Sequence, residues 1–394
     1  MKNILLVTSL YPCDDVKLLN NTAVCHYFAK EWKKLGYNVR VIFNYNMYPW
    51  YYYPALKLFK RQMANIFGIS IQDHYLNKRH TYALDGIIID RLPILKNKPH
   101  GGFTKEKIEE QAHLIHTILE QEDFVPDVIL GHFAHPNLEI VALLKKMYNA
   151  IGAVSLHGPN IKYSPEDGKL YAQLDYIGFR SYPTKKKFES LYPSKEFFMC
   201  PSGVPVEYIT KAREFKEPIS RFIYVGTLMK RKYPEVLIPA IKNVFKNDSF
   251  SLTYVGDGAN LNRIVKVAKQ NDSIKNINFA GRIPRHEVTQ ELDKAEVFIM
   301  ISEIETFGLV YLEAMARGCI VVASRNEGMD GIIEDGVNGF LCEAGNEVEL
   351  SSIILKIRNM SSEELNRMSQ KGIETAHNYT DSKVAKDYID TFKI

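Results

Sequence analysis

The chain has 394 residues, which is long enough for two domains of ordinary size. Its apolar content of 46% and its charged content of 24% are those of a globular protein. The net charge of +4 is too small to predict a nucleic-acid-binding protein. The five cysteines show neither a metal-ligand spacing nor a disulfide framework, which favours a reducing compartment.

Short apolar strands alternate with amphipathic helices along the first half of the chain. The opening is a strand at 1–9, a helix at 21–35 and a strand at 39–43, and this β-α-β order implies a parallel sheet. The other elements predicted in this half are strands at 86–90, 128–130, 153–156, 176–180 and 197–199, and helices at 105–120 and 138–148. Residues 201–218 hold three prolines and form a predicted linker.

A second alternation follows the predicted linker. Its predicted elements are strands at 222–225, 252–255, 277–279, 297–301 and 320–323, helices at 234–244, from Leu261 and after Phe307, and a last helix at 380–394. The chain is therefore predicted to form two doubly wound α/β halves. In such sheets ligands bind at the carboxyl ends of the strands, and we expect the site in a cleft between the halves.

The compartment is predicted from two features of the apolar runs. The run at 4–7 is short and leads directly into a turn, which is typical of a first strand and not of a signal peptide. No apolar stretch approaches the roughly 20 residues of a transmembrane helix. We therefore expect a cytoplasmic protein, with at most a peripheral contact at the inner face of a membrane.

Two carboxylates flank a predicted helix start within residues 299–324. The helix should begin near Phe307 or Gly308, with Glu305 just before it and Glu313 nearly two turns into it. The first free N–H groups, near Gly308 and Leu309, would then point at an anion. From spacing alone two interpretations stay open. In one, both glutamates contact the same ligand. In the other, Glu305 is a charge that the helix dipole favours, and Glu313 is a solvated carboxylate on the helix surface.

Two further segments offer functional side chains at predicted strand ends. Three consecutive cations, Lys230 to Lys232, lie between a strand and a helix, where they could neutralise a diphosphate or form a solvated basic turn. His157, followed by Gly158, ends another strand and is either a cleft residue or a hydrogen-bonded structural histidine.

Residues 48–67 combine aromatic and basic side chains. Six aromatic residues occur at 48–59, and Lys57, Lys60 and Arg61 lie among leucine and phenylalanine. This composition suits a membrane surface or a lipid-linked acceptor, and tyrosines also stack on sugar rings. The alternative is an ordinary packed loop and helix.

Several of these segments resemble motifs of one enzyme family. The pair Glu305-x7-Glu313 lies within S-x-x-E-x-F-G-L-x-x-L-E-A-M-A-x-G, and similar blocks follow at 321–324 (V-V-A-S) and 333–340 (I-E-D-G-V-N-G-F). The segment at 154–160, V-S-L-H-G-P-N, resembles a V-x-x-H-G-x-D block. Together these resemble the retaining GT-B glycosyltransferases with the E-x7-E signature, usually called family four.

The resemblance implies a role for each candidate residue. Glu305 would hold the hydroxyls of the donor sugar, Glu313 would bind the ribose, and His157 would face donor sugar and acceptor. Leaving-group charge would fall on Lys232 and on the amides near Gly308 and Leu309. The remaining donor-site positions of the motifs are Phe307, Arg231, Thr227 and Arg282.

The chain departs from the family pattern at two positions. Thr227 stands where the family has an arginine that clamps the diphosphate, and Lys230 or Arg231 could supply the missing charge. Glu327 stands where the family has the first glycine of a loop that approaches the donor sugar. Both departures concern the donor site.

The resemblance also implies a fold and a reaction. It implies GT-B architecture, with two Rossmann-like domains at 1–205 and 206–377 facing a central cleft, and a helix at 378–394 crossing back to the first. The expected reaction moves a sugar, with retention, from a nucleoside diphosphate sugar, expected to be UDP-linked, to a hydroxyl of a glycan or lipid-linked acceptor. No D-x-D sequence occurs, so we expect neither a metal site nor a cofactor.

Three alternatives stay open at this point. Two are enzymes on the same fold, a nucleotide-sugar epimerase and a phosphorylase. The third is a non-catalytic partner subunit that binds sugar nucleotides, which the threonine at position 227 keeps open.

Overall fold

The structure is a computed structural model that describes residues 1–18, 22–59, 72–96, 102–158, 164–193, 195–216 and 218–394. The chain divides into two compact units. The first unit consists of Met1–Arg180, Thr184–Cys200 and Val384–Ile394, and the second consists of Ser181–Pro183 and Pro201–Lys383.

The first unit contains an eight-stranded sheet. Its strands are β1 (Asn3–Thr8), β2 (Asn38–Met47), β3 (His80–Leu84), β4 (Ile87–Leu95), β5 (Val128–His132), β6 (Ile151–Leu156), β7 (Tyr176–Phe179) and β8 (Glu196–Met199). The spatial order is β3-β4-β2-β1-β5-β6-β7-β8, and every pair is parallel except β3 with β4. The α-helices with both ends described in this part of the chain are Val24–Lys34, Lys105–Gln121, Asn137–Tyr148, Pro165–Tyr171 and Tyr182–Leu191.

The antiparallel edge strand β3 was not predicted. It is joined to β4 by a turn at Asp85 and Gly86, both of which have positive φ angles. An Asp-Gly pair between two strands is a strong hairpin signal, and it could have revealed this strand.

The last helix, Asp381–Asp390, contributes aromatic and apolar side chains to the core of the first unit. Tyr388 is completely buried and packs edge-on against Phe28 and Trp32. The indole Nε1 of Trp32 donates to the carbonyl oxygen of Ala385 at 2.8 Å. Each large apolar side chain buried in this way contributes about 1.5–3 kcal/mol, so the helix is an integral part of this core.

The second unit contains a six-stranded, entirely parallel sheet. Its strands are β9 (Arg221–Val225), β10 (Ser251–Val255), β11 (Ile277–Gly281), β12 (Val297–Ile299), β13 (Ile320–Ser324) and β14 (Phe340–Cys342). Its α-helices are Leu237–Phe245, Leu261–Gln270, Arg285–Lys294, Leu309–Ala316, Glu347–Arg358 and Ser362–Asn378. The strands β12, β13 and β14 are short, mainly apolar runs in which every residue is buried, as strands of a parallel sheet covered on both faces require, whereas the edge strand β11 is only half-buried.

The strand order of the second sheet places a ligand site. The order is β11-β10-β9-β12-β13-β14, the doubly wound order. From β9 the sheet grows first in one direction, to β10 and β11, and then in the other, from β12 to β14, so the switch point lies between β9 and β12. Ligands of such sheets bind outside the carboxyl ends of the two strands at this switch point. Here those strands are β9 and β12. Lys230–Lys232 follows β9, and Glu305 follows β12.

The segment at 48–67, which we call the aromatic segment, is described only up to residue 59, and 60–67 lies outside the described residues. Trp50–Tyr52 forms a 3-10 helix, and residues 53–59 are helical. Tyr53 and Leu56 are buried in a small cluster, whereas Trp50 and Leu58 are 71% and 75% exposed. Among the described helices, none combines the length and the apolar composition needed to span a bilayer.

Candidate active site

Lys232 and Glu305 meet at the switch point of the second sheet. Lys232 ends the 3-10 helix Lys230–Lys232 after β9, and Glu305 lies in the loop after β12. The lysine Nζ lies 2.9 Å from Glu305 Oε2, and the two side chains are only 13% and 14% exposed. Lys232 Nζ also lies 3.7 Å from the sulfur of Met300. Lys232 and Glu305 were both predicted for one donor site, and in the structure their charged groups are in direct contact.

The pKa of Glu305 shows which influence dominates this pair. Burial alone would raise the pKa of the carboxyl group, because it disfavours the charged form. The charge and the hydrogen bond of Lys232 outweigh burial, with smaller contributions from Arg231 and Ser302, so the pKa lies below its ordinary value. Glu305 is therefore a carboxylate at neutral pH, and it depends on the lysine for that state.

Arg231 holds the shape of the loop that carries Glu305. Its guanidinium Nη1 donates to the carbonyl oxygens of Glu303 at 3.2 Å and Ile304 at 2.8 Å. The backbone N–H of Glu303 in turn donates to the carbonyl oxygen of Arg231 at 2.7 Å. Ile304 has φ of 59°, a conformation that costs a β-branched residue free energy and is sustained only by such surrounding contacts. In this structure Arg231 therefore stabilises the loop through hydrogen bonds to its backbone carbonyl oxygens.

Glu327 fixes the same loop from the other side. Its Oε2 accepts the backbone N–H of Glu305 at 2.6 Å. Burial, with the nearby carboxylates of Glu305 and Glu303, raises the pKa of Glu327 despite its hydrogen bonds to loop N–H groups. The neighbouring Gly328 lets the backbone beside Glu327 lie close to the loop, because a Cβ at position 328 would lie 2.6 Å from backbone atoms of Phe307. Glu327, which departs from the family pattern, is thus held beside Glu305 by this hydrogen bond.

The helix after Glu305 presents a free N-terminus to the same region. The helix is Leu309–Ala316, and its N-cap is Gly308, in left-handed conformation with φ of 78° and no side-chain cap. It therefore begins just after the predicted Phe307 or Gly308, and Phe307 itself is buried. The first-turn N–H groups of a helix have no intrahelical partners and carry about half a positive charge, which suits an anion.

Glu313 lies on this helix but faces a different partner. Its Oε1 lies 2.6 Å from the guanidinium Nε of Arg285, and the residue is buried. The guanidinium also lies over the ring of Tyr208 at 5.6 Å. Glu313 is thus an ion-paired carboxylate and not a solvated one. Arg285 was not predicted, and nothing in its sequence context marks it.

The other predicted donor-site residues of this unit lie near strand ends. Thr227 follows β9, and its carbonyl oxygen accepts the hydroxyl of Tyr224 at 3.0 Å. Its side chain is half-buried, and it brings no charge to the loop. Arg282 follows β11 directly and is exposed. Lys230 is also exposed.

His157 belongs to the first unit, where it follows β6. Its Nε2 lies 2.9 Å from Nδ1 of His132, and its ring lies against Phe133 with 4.1 Å between centroids. Burial, together with the nearby Arg180 and His132, places the pKa of His157 well below its ordinary value. His157 is therefore neutral at physiological pH, and it is a hydrogen-bonded histidine as well as a strand-end residue.

One group of described residues in the first unit has the composition of a metal site. Asp14, Asp15 and His80 lie close together at the surface. Arg91 donates to both carboxylate oxygens of Asp15, at 2.6 and 2.9 Å, and its hydrogen bonds lower the pKa of that carboxyl group. The cluster is an ion-pair network, and we assign no function to it.

Comparison with known proteins identifies the second unit. Residues 207–375, which lie within it, match the family model of glycosyl transferases group 1. The chain carries a group 1 glycosyltransferase domain. Together with the relatives and the solved structure described next, this match makes the chain a glycosyltransferase enzyme with two Rossmann-like domains of the GT-B class.

Relatives and solved structures agree with this assignment over a larger part of the chain. An uncharacterised glycosyltransferase of Methanocaldococcus jannaschii is 27% identical over 301 residues, 73% of this chain and 81% of the relative. The amylovoran biosynthesis glycosyltransferase AmsK of Erwinia amylovora is 24% identical over 257 residues, 60% and 62% of the two chains. The Anabaena protein HepE, solved in complex with UDP, superposes with a TM-score of 0.68 at 15% identity, covering 100% of both chains.

The ion pair makes a prediction about stability. Replacing Lys232 with methionine keeps most of the packing but leaves Glu305 buried without its counter-charge. Because hydrogen bonds to charged groups contribute about 1.5–3 kcal/mol, we expect Lys232→Met to lower the free energy of unfolding by about that amount at pH 7. Urea unfolding of both proteins measures the difference.

The same variant has a predictable pH dependence. In the wild type the pKa of Glu305 is lowered, so its stabilising contribution is present above the unfolded pKa of about 4.3 and is lost as pH falls through the folded value. In Lys232→Met burial raises that pKa, and its penalty disappears in acid. The difference between the proteins should shrink at pH 4, and equal differences at pH 4 and pH 7 would contradict this account. The exposed pair Lys371 and Glu374 supplies the control Lys371→Met, which should change little at either pH.

Proposed function

We propose that this glycosyltransferase moves a sugar, with retention of configuration, from a nucleoside diphosphate sugar to a hydroxyl group of a glycan or lipid-linked acceptor. The observation that carries the proposal is the partly buried contact between Lys232 and Glu305 beside the uncapped helix start at Gly308. A cation and a helix N-terminus suit a diphosphate, and a carboxylate suits sugar hydroxyls. The site therefore offers the groups that a nucleoside diphosphate sugar requires.

Each residue has a role in the proposed donor complex. Lys232 and the N–H groups at Gly308 and Leu309 bind the diphosphate and stabilise the charge of the leaving group. Glu305 binds hydroxyls of the transferred sugar. Glu313, beside Arg285, is the proposed ribose contact.

The same arrangement suits a same-face transfer. The bond between the anomeric carbon and the phosphate oxygen breaks while the acceptor oxygen bonds to that carbon on the same face. The departing phosphate takes the acceptor proton, so the protein need not supply a nucleophile. In the first unit, His157 is the residue that we expect to contact sugar and acceptor.

Two comparisons support finer parts of the proposal. HepE was solved with UDP bound, and this supports a UDP-linked donor for the present chain. The Erwinia relative is named as a biosynthesis glycosyltransferase, and this supports a role in polysaccharide biosynthesis, which we propose takes place in the cytoplasm. Neither part depends on a metal ion or a cofactor.

Glu305→Ala tests the proposed reaction. We expect it to lower transfer at least about 10²-fold, because it removes a contact to the reacting sugar, while UDP binding persists through Lys232. The measurement is UDP release, with and without acceptor, from whichever member of a UDP-sugar panel the wild type consumes fastest. Glu303→Ala is the matched control, since Glu303 is an exposed carboxylate of the same loop that bonds Tyr233. A Glu305→Ala enzyme with full activity would refute the assignment.

We also propose that the aromatic segment makes peripheral membrane contact. Trp50, Tyr51, Leu58 and Phe59 are exposed apolar side chains, and the basic Lys57 is exposed among them. Such a surface can enter the headgroup region of a bilayer while its cation meets anionic lipid. The segment then brings the enzyme to a lipid-linked acceptor.

Vesicle co-sedimentation tests the membrane contact. We expect binding to phosphatidylglycerol vesicles, weakened about tenfold or more in the double variant Trp50→Ser with Leu58→Ser, because two apolar side chains no longer leave water. Val348→Ser is the control, since Val348 is 76% exposed on a helix of the second unit. If the wild-type protein stays in the supernatant, the proposed contact does not exist.

A further inference from the structure

A chain of three side chains in the first unit leads from a buried tyrosine to His157. Tyr388 Oη lies 3.1 Å from Nε2 of His132, and Nδ1 of His132 lies 2.9 Å from Nε2 of His157. Tyr388 and His132 are completely buried, and His157 is partly exposed. These three hydrogen-bonded side chains, which we call the relay, therefore lead from the core to the surface of the unit.

The hydrogen of the tyrosine hydroxyl has a defined acceptor. Within the described part of the chain, His132 Nε2 is the hydrogen-bond partner found for Tyr388 Oη. Burial raises the pKa of Tyr388 well above its ordinary value, so the hydroxyl keeps its hydrogen. An O–H group without an acceptor is costly in the core, whereas an oxygen with a spare lone pair is tolerated. The hydroxyl therefore donates to His132 Nε2.

The acceptor role of Nε2 decides where His132 carries its proton. Burial, with the nearby Arg180, lowers the pKa of His132 to about 3, so the ring is neutral. A neutral imidazole has one N–H donor and one acceptor nitrogen. Because Nε2 accepts from Tyr388, the proton is on Nδ1, which donates to His157 Nε2. His157 then carries its own proton on Nδ1.

We propose that Tyr388 and His132 are positioning residues that fix His157 as the tautomer protonated at Nδ1. The surrounding packing holds the rings in place. Phe133 lies against His157, and the carbonyl oxygen of His132 accepts the side-chain amide of Asn137 at 2.8 Å. The relay ties the state of His157 to the last helix of the chain, which carries Tyr388.

The tautomer decides what His157 can do in the reaction, and this consequence rests on the proposed function. With Nε2 occupied by His132, the ring presents an N–H donor at Nδ1 and no free basic nitrogen. His157 then donates a hydrogen bond to an oxygen of the sugar or acceptor, and it does not remove the acceptor proton. This role fits a transfer in which the leaving phosphate takes that proton.

Tyr388→Phe tests the relay. The variant removes one hydroxyl and keeps the ring that packs against Phe28, Trp32 and Phe198. The measurement is the two-bond proton–nitrogen spectrum of protein labelled with ¹⁵N-histidine, which distinguishes the two tautomers directly. We expect wild-type His157 to be protonated at Nδ1, and its tautomer ratio to fall about fivefold in the variant, the equivalent of one net hydrogen bond.

Two further variants separate the relay from a general loss of structure. Tyr11→Phe is the matched control, since Tyr11 is another buried tyrosine that bonds a histidine, His26, at 2.8 Å, and it should leave His157 unchanged. His132→Asn should keep His157 protonated at Nδ1, because an amide placed like Nδ1 can donate without help from Tyr388.

Two spectroscopic results would overturn the proposal. One is a wild-type His157 protonated at Nε2, and the other is a tautomer ratio that Tyr388→Phe leaves unchanged. The catalytic role of His157 is tested separately by sugar transfer in His157→Ala. Wild-type transfer in that variant would refute the role in the proposed function, whereas the spectra still decide the relay.

Discussion

Lys232 and Glu305 face each other at 2.9 Å in a place where neither side chain is well solvated. A charge removed from water is expensive unless another charge compensates it, so each of the two depends on the other. Their contact neutralises both charges and holds both side chains in place. A diphosphate sugar would replace this contact with two better matched ones, phosphate on the ammonium and hydroxyls on the carboxylate. Breaking the ion pair costs free energy, and under the proposed function the new contacts to phosphate and sugar offset that cost.

The rest of the second unit makes this arrangement possible. The strand order places the ends of β9 and β12 side by side, and the two charged loops are their continuations. The loop after β12 contains a strained residue, Ile304, and two flanking side chains hold it. Arg231 binds its carbonyl oxygen and Glu327 binds the next N–H, so strain at the site is sustained by contacts on both sides.

The sequence allowed the fold and the central pair to be predicted for physical reasons. Parallel strands buried on both faces are short apolar runs, and they are recognisable without any contact information. Glu305 and Lys232 each lie in a loop after a predicted strand, where such sheets bind ligands, and the family resemblance singled them out within those loops. The edge strand β3 was missed because its apolar run, 82–84, is only three residues long, and the structure buries only Tyr82 of the strand.

What the sequence could not show were partners distant along the chain. Arg285 bonds Glu313, and Tyr388 bonds His132, across separations that no local pattern encodes. Arg231 was a candidate to replace the arginine absent at position 227, but in the structure its guanidinium supports a loop. The resemblance singled out Lys232 among the three cations, and the structure shows that its ammonium group, and not that of Lys230, contacts Glu305.

Calorimetric titration of UDP into the wild type and two lysine variants tests the central claim most directly. If Lys232 is the diphosphate ligand of the switch-point site, Lys232→Ala should weaken UDP binding about 10–100-fold, the loss expected for a charge-assisted hydrogen bond. Lys230→Ala, which removes an exposed cation from the same 3-10 helix, should bind UDP like the wild type. Wild-type affinity in Lys232→Ala, or a loss confined to Lys230→Ala, would contradict the account.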